Sequence, residues 1–227
     1  MWSMVRLAVA KGSPGADRAL NELCRLYERP IVTYILRNGY SPDAAQDLKQ
    51  AFFEHLLSKD ALASAEGTRV KLRAFIFQKL ESFLIDQHRH ATAQKRGSGK
   101  VVALGDLSDE QQHLAEPVDR VTPFIAAQRQ WLETLITHAM GVLRDDFLRK
   151  GNADLFTALA PFITSNNDQT LATIAEKFGR PVNTLKSDIS RMRAKCQQYI
   201  RDQIATTLDD DSEASITAEL KELMGYR

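Results

Sequence analysis

Apolar residues along this chain recur every three or four positions, nearly from end to end, and almost never at every second position. That period is the helix's own, so the spacing confines the chain to an all-α fold. The brief Val101-Val102 patch is the one strand-like exception. A chain of 227 residues exceeds one small helical domain, and 44% apolar residues can fill two modest cores. No apolar run is long enough to span a bilayer, so membrane insertion is not expected. The first ten residues lack the small-residue cleavage site of an export signal, and the expected location is the cytoplasm. Cys24 and Cys196 belong to no C-x-x-C pair and read as buried thiols.

Breaks in the periodicity divide the chain. A first helix runs from Ala16 to Asn38, with a bend expected at Pro30, and stops at Asn38-Gly39. Ser41-Pro42-Asp43 opens a second: the serine can cap it, the proline suits its first position, and the aspartate complements its dipole. Ala44, Leu48, Ala51, Phe52 and His55 share one face of that helix. A third, from about Val70, turns Leu72, Phe75, Ile76, Leu80, Phe83 and Leu84 inward and ends in the basic segment Asp86 to Arg96. Gly97-Ser98-Gly99 closes a first domain over residues 1–97. Residues 98–121 hold Gly105 and Pro117 without a sustained period and read as a flexible linker. A fourth helix follows Thr122-Pro123, with Ile125, Leu132, Leu135, Ile136, Met140, Leu143 and Phe147 spaced for burial and Trp131 as packing. A short helix spans Asn152 to Ile163. These open a second domain, residues 122–206. The tail, 207–227, carries a candidate amphipathic helix with Ile216, Leu220, Leu223 and Met224. It reads either as a partner-binding or autoinhibitory segment that covers the basic helix, or as a helix patched onto the domain or frayed in solution.

The segment with the clearest chemistry is Thr170 to Ile204. A short helix ends at Phe178, Gly179-Arg180-Pro181 breaks the chain, and a second helix starts at Val182. Leu171, Ile174, Ala175 and Phe178 line the inner face of the first. Leu185, Ile189, Met192, Cys196 and Tyr199 line that of the second. This is a helix-turn-helix pattern. From Glu176 to Arg201 there are seven cations and two anions; from Asp202 to Glu222, seven anions and one lysine. A basic helix beside an acidic tail suggests a polyanion-binding surface. Asn183, Thr184, Lys186, Ser187 and Ser190 point away from the apolar stripe, where base edges could be read. Arg180, Arg191, Arg193 and Lys195 could neutralise phosphates. The same pattern fits a helical hairpin with a solvated basic face.

Leu171-Ala-Thr-Ile-Ala-Glu-Lys-Phe-Gly179 and Pro181-Val-Asn-Thr-Leu-Lys-Ser-Asp-Ile-Ser-Arg-Met-Arg193 resemble the −35-reading region of extracytoplasmic-function sigma factors of the sigma-70 family. Asp43-Ala-Ala-Gln-Asp-Leu-Lys-Gln-Ala-Phe-Phe53 resembles that family's core-polymerase-binding helix. Phe83-Leu-Ile-Asp-Gln-His-Arg89 resembles its −10-reading segment. The resemblance covers about residues 17 to 97 and 122 to 204. It implies a non-enzymatic transcription initiation factor with core RNA polymerase and promoter DNA as partners and no cofactor or metal. It assigns polymerase docking to Asp43, Asp47, Leu48, Gln50 and Phe53. It assigns melted −10 DNA to Gln87, Arg89, His90, Lys95 and Arg96.

Two departures stand out. Leu185 and Asp188 replace the family's usual Val and Arg. Gln46 and Ala51 stand where acids are frequent, with Lys49 between them, which weakens acidity toward a basic polymerase surface. Phosphorylation of Ser41 or Ser58 by a Ser/Thr kinase could restore negative charge, and an anti-sigma factor is a further regulator of this class. Competing expectations are a helix-turn-helix regulator that binds an operator without polymerase, and a helical adaptor. His88-x-His90 lacks a third metal ligand in sequence, and no catalytic constellation is legible.

Overall fold

The computed structural model describes residues 2–9, 15–56, 71–97 (91–97 as backbone only), 121–163 and 171–225. Every regular element among them is a helix: α1 (Ser3–Val9), α2 (Ala16–Arg37), α3 (Pro42–Leu56), α4 (Leu72–Gly97), α5 (Pro123–Arg149), α6 (Ala153–Leu159) with a 3₁₀ turn (Ala160–Ile163), α7 (Leu171–Phe178), α8 (Val182–Ala205) and α9 (Glu213–Leu223). No described helix is long and apolar enough to cross a membrane. The expected linker, 98–121, the Val101-Val102 patch and Ser58 lie outside the described residues, apart from Val121 at the linker's end. The helices gather into two compact units, Met1–Gln130 and Trp131–Arg227, and the division falls inside α5.

In the first unit, α2 runs unbroken through a buried Pro30. It stops where Asn38 donates back to the Tyr34 carbonyl and Gly39 turns to φ +86°. Ser41 caps α3 as its position predicts, its Oγ accepting from the Ala44 amide at 3.3 Å. The buried face of α3 is Ala45, Phe52 and Leu56; Ala44, Leu48 and Ala51 are only half-buried and His55 is exposed. The stripe expected from the sequence is therefore rotated by part of a turn, because neighbouring alanines leave its edge ambiguous. On α4, Leu72, Phe75, Ile76, Leu80, Phe83 and Leu84 are all buried, and Phe83 packs on Phe52 with ring centres 5.6 Å apart. Burying one such ring stabilises by roughly 1.5–3 kcal/mol. No clear start or stop signal marks α1 in the sequence. Trp2 anchors it, fully buried against Phe75 at 5.3 Å.

In the second unit, Leu143, Leu155, Phe156, Leu159, Phe162, Leu171, Ile174, Leu185, Ile189, Met192 and Cys196 form one core. On α5, which the two units share, Trp131, Leu135 and Leu143 are buried, Leu132, Ile136, Met140 and Phe147 are half-buried, and Ile125, on the first unit's side, is exposed, contrary to its spacing. Ile125 sits in the helix's first turn, where its amide donates to the Thr122 side chain, before the apolar stripe has settled. The corner from α5 to α6 is made by Gly151 at φ +70° and by the Asn152 amide bonding the Phe147 carbonyl at 2.9 Å. The acidic tail forms α9, capped by Ser212, and docks on the last turns of α8. There Arg201 pairs with Glu213 and donates to Thr217, while Ile216 and Leu223 are buried. Met224 is half-exposed instead of packed. Through these contacts α9 grips the C-terminal end of α8.

Candidate nucleic-acid interface

The relation of α7 to α8 is fixed by a three-residue corner. Gly179 adopts φ +59°, a conformation that costs other L-residues about 1 kcal/mol or more. The Arg180 amide then closes onto the Ala175 carbonyl at 2.9 Å, and Pro181 sits just before α8 with its carbonyl accepting from Thr184 and Leu185. Leu185, Ile189, Met192 and Cys196 point into the core, as their spacing requires. Burial raises the thiol pKa of Cys196, and both cysteines are free thiols.

The opposite face of α8 is solvent-facing. Asn183, Thr184, Lys186, Ser187 and Ser190 are exposed, with Ser187 Oγ donating to the Asn183 carbonyl at 3.0 Å. They form a polar strip flanked by cations. The cations differ in what they face. Lys186 and Arg191 are both exposed, Arg191 over 75% of its side chain. Arg193 instead turns back into its own unit, donating to the Phe162 carbonyl at 2.6 Å and the Ile163 carbonyl at 3.2 Å. Its placement is that of a structural clamp. Lys195 is exposed but pairs with Asp146 at 3.0 Å.

Asp188 explains itself through its partners. It is sheltered, 16% exposed, and takes Arg180 at 3.5 Å and Arg191 at 3.3 Å. The carboxylate thus holds two of the candidate phosphate-binding arginines from within the same surface. Lys150 and Asp146 on and after α5 were missed from sequence, although their i, i+4 spacing signals an ion pair.

The first unit presents two separate exposed strips. On α3, Asp43, Asp47, Gln50 and Glu54 recur at helical spacing and are all exposed, with Gln50 donating to Glu54 at 3.3 Å. Leu48 and Phe53 are half-buried at its flanks. Glu54 extends this strip beyond the residues that the family resemblance assigns. Lys49, which would dilute this acidity, instead turns to Glu28 of α2 at 2.8 Å. On α4, Gln87, Arg89 and His90 are exposed, and Arg89 makes only a loose 3.8 Å pair with Asp86. Lys95 and Arg96 continue the same helix, but their side chains lie outside the described residues.

No protein-family model matches the chain, and neither a curated protein nor a solved structure matches it.

Proposed function

We propose that this chain is a sigma-type transcription initiation factor of the extracytoplasmic-function kind, acting in the cytoplasm with core RNA polymerase. In this reading α7, its glycine corner and α8 are a helix-turn-helix that reads the −35 duplex. The N-terminal domain docks on polymerase by α3 and holds the melted −10 strand by the end of α4. Promoter opening is driven by binding energy, and no covalent step falls to this chain.

The observation that carries the reading is the exposed strip Asn183, Thr184, Lys186, Ser187 and Ser190 opposite the buried Leu185-Ile189-Met192-Cys196 stripe. Short polar side chains at the start of a helix suit base edges, and the flanking cations suit phosphates. The acidic strip of α3 adds support, being complementary to a basic docking surface.

In vitro transcription with core polymerase and a promoter pool tests it. Specific initiation that depends on this chain, together with loss of polymerase pull-down on Asp47→Arg, is expected. DNA binding without any polymerase capture would favour an operator-binding regulator. No DNA affinity at low salt, in the full chain with or without polymerase, would favour a helical adaptor.

A further inference from the structure

A cleft of about 190 Å³ opens beside α8, between its Asp188–Lys195 flank and the corner joining α5 to α6. Lys150, Arg180, Arg191 and Lys195 line it around Asp146 and Asp188, over a floor that includes Phe147 and Met192. Asp188 and Lys195 lie roughly a third of a turn around α8 from Asn183 and Ser187, so this flank borders the strip proposed to read bases on the Thr184 side.

The charges here do not balance. One oxygen of Asp146 accepts from both Lys150 at 2.9 Å and Lys195 at 3.0 Å. The two oxygens of Asp188 take Arg180 at 3.5 Å and Arg191 at 3.3 Å. Four cations face two carboxylates, and the carboxylates are the sheltered members, 22% and 16% exposed. The positive surplus therefore lies at the mouth. Each guanidinium has five N–H donors. Arg180 and Arg191 each direct one nitrogen at Asp188, which leaves donors for a second acceptor. A concavity lined by one excess sign focuses the field on a counter-ion. Two forked donors beside two ammonium groups match a compact anion with several oxygens.

We propose that this cleft binds a phosphate group. The phosphate could be free, as inorganic phosphate or a monoester, or it could belong to a nucleic-acid backbone. Only the second source rests on the DNA-binding reading above.

The full-length protein is titrated with inorganic phosphate at constant ionic strength, balanced with chloride, and followed by amide and arginine side-chain NMR. Saturable shifts centred on Arg180, Arg191 and Lys195 are expected. A Lys150→Gln/Lys195→Gln variant, with an unchanged circular dichroism spectrum, should bind at least tenfold more weakly. Lys177→Gln, at an exposed site outside the cleft, should bind as the parent does. Shifts that fail to saturate, that spread evenly over exposed lysines, or that weaken equally in Lys177→Gln would overturn the proposal. A parallel arm measures random-sequence duplex at low salt. If the double variant loses phosphate and at least tenfold in duplex affinity, the backbone is the source. If it loses phosphate alone, a free phosphate is the ligand and the DNA-binding reading stands. Saturable phosphate binding in a chain that neither binds DNA nor supports transcription would sustain the cleft while the sigma reading falls.

Discussion

The guanidinium of Arg193 reaches from α8 to the last carbonyls of the 3₁₀ turn, 2.6 Å from that of Phe162 and 3.2 Å from that of Ile163. These acceptors end a helical segment and would otherwise lack intrahelical partners. Hydrogen bonds from a charged donor contribute roughly 1.5–3 kcal/mol. Arg193→Ala should therefore lower the stability of the second unit by about 2 kcal/mol, read as a shifted urea midpoint. Arg193→Lys, which cannot fork, should recover only part of it. If Arg193 were instead a phosphate contact, its removal would flatten the salt dependence of DNA binding and leave the midpoint in place.

Asp188 restrains Arg180 and Arg191 at 3.5 and 3.3 Å. On the proposed DNA-binding role, Asp188→Asn frees both arginines and removes a charge that repels phosphate. Nonspecific duplex affinity should rise, and the slope of log K against log salt should steepen by about 1 to 2, since each added phosphate contact contributes about 0.9. Gel shifts across a salt series measure it. An unchanged slope would mean that neither arginine reaches the backbone.

Much of this was legible because helical periodicity alone identifies the buried side of an element. Leu185, Ile189, Met192 and Cys196 are placed inward by spacing, and Ser41 caps α3 by local chemistry that needs no distant partner. What was not legible depends on distant pairs. Nothing in the α8 sequence says that Arg193 turns to Phe162, thirty-one residues back, while Arg191 stays outside. Nothing in α3 says that Lys49 faces Glu28, so that the acidic strip ends up less diluted than composition implies. Trp2 carries no local signal of its depth, yet its burial against Phe75 makes α1 part of the core.

Two glycines should respond to alanine with opposite signs. Gly179 holds φ +59° with open space where a Cβ would sit, so the penalty is purely conformational. Gly179→Ala should destabilise by about 1 kcal/mol and loosen the α7–α8 corner. Gly141 lies inside α5 with ordinary helical φ and equally open space. Gly141→Ala should stabilise by roughly 0.4–1 kcal/mol through the lower entropy of the unfolded chain. Thermal melts of the two variants, run side by side, check the pair. A stabilised Gly179→Ala would mean the corner does not need a left-handed residue.

Hydrogen bonds from Lys150 and then Lys195 draw the Asp146 carboxyl from its ordinary 3.8 down to about 2. A carboxylate with a depressed folded-state pKa adds stability that is fully present above its unfolded value. That contribution fades as acid protonates the folded form, so the window lies between about 3.8 and about 2. Above pH 5, stability should be insensitive to this group; below it, the bridge between α8 and the α5 corner weakens. Carboxyl-detected NMR should give Asp146 a midpoint near 2. In Lys150→Gln/Lys195→Gln it should return toward 3.8, because both donors are gone and only the looser 3.6 Å Arg149 pair remains. Asp146→Asn should remove this part of the acid dependence without changing the neutral-pH charge of any other residue. A midpoint that stays at its ordinary value in the parent protein would show that the two ammonium groups do not converge on this oxygen in solution. The cleft would then lose the arrangement that gives it a positive mouth.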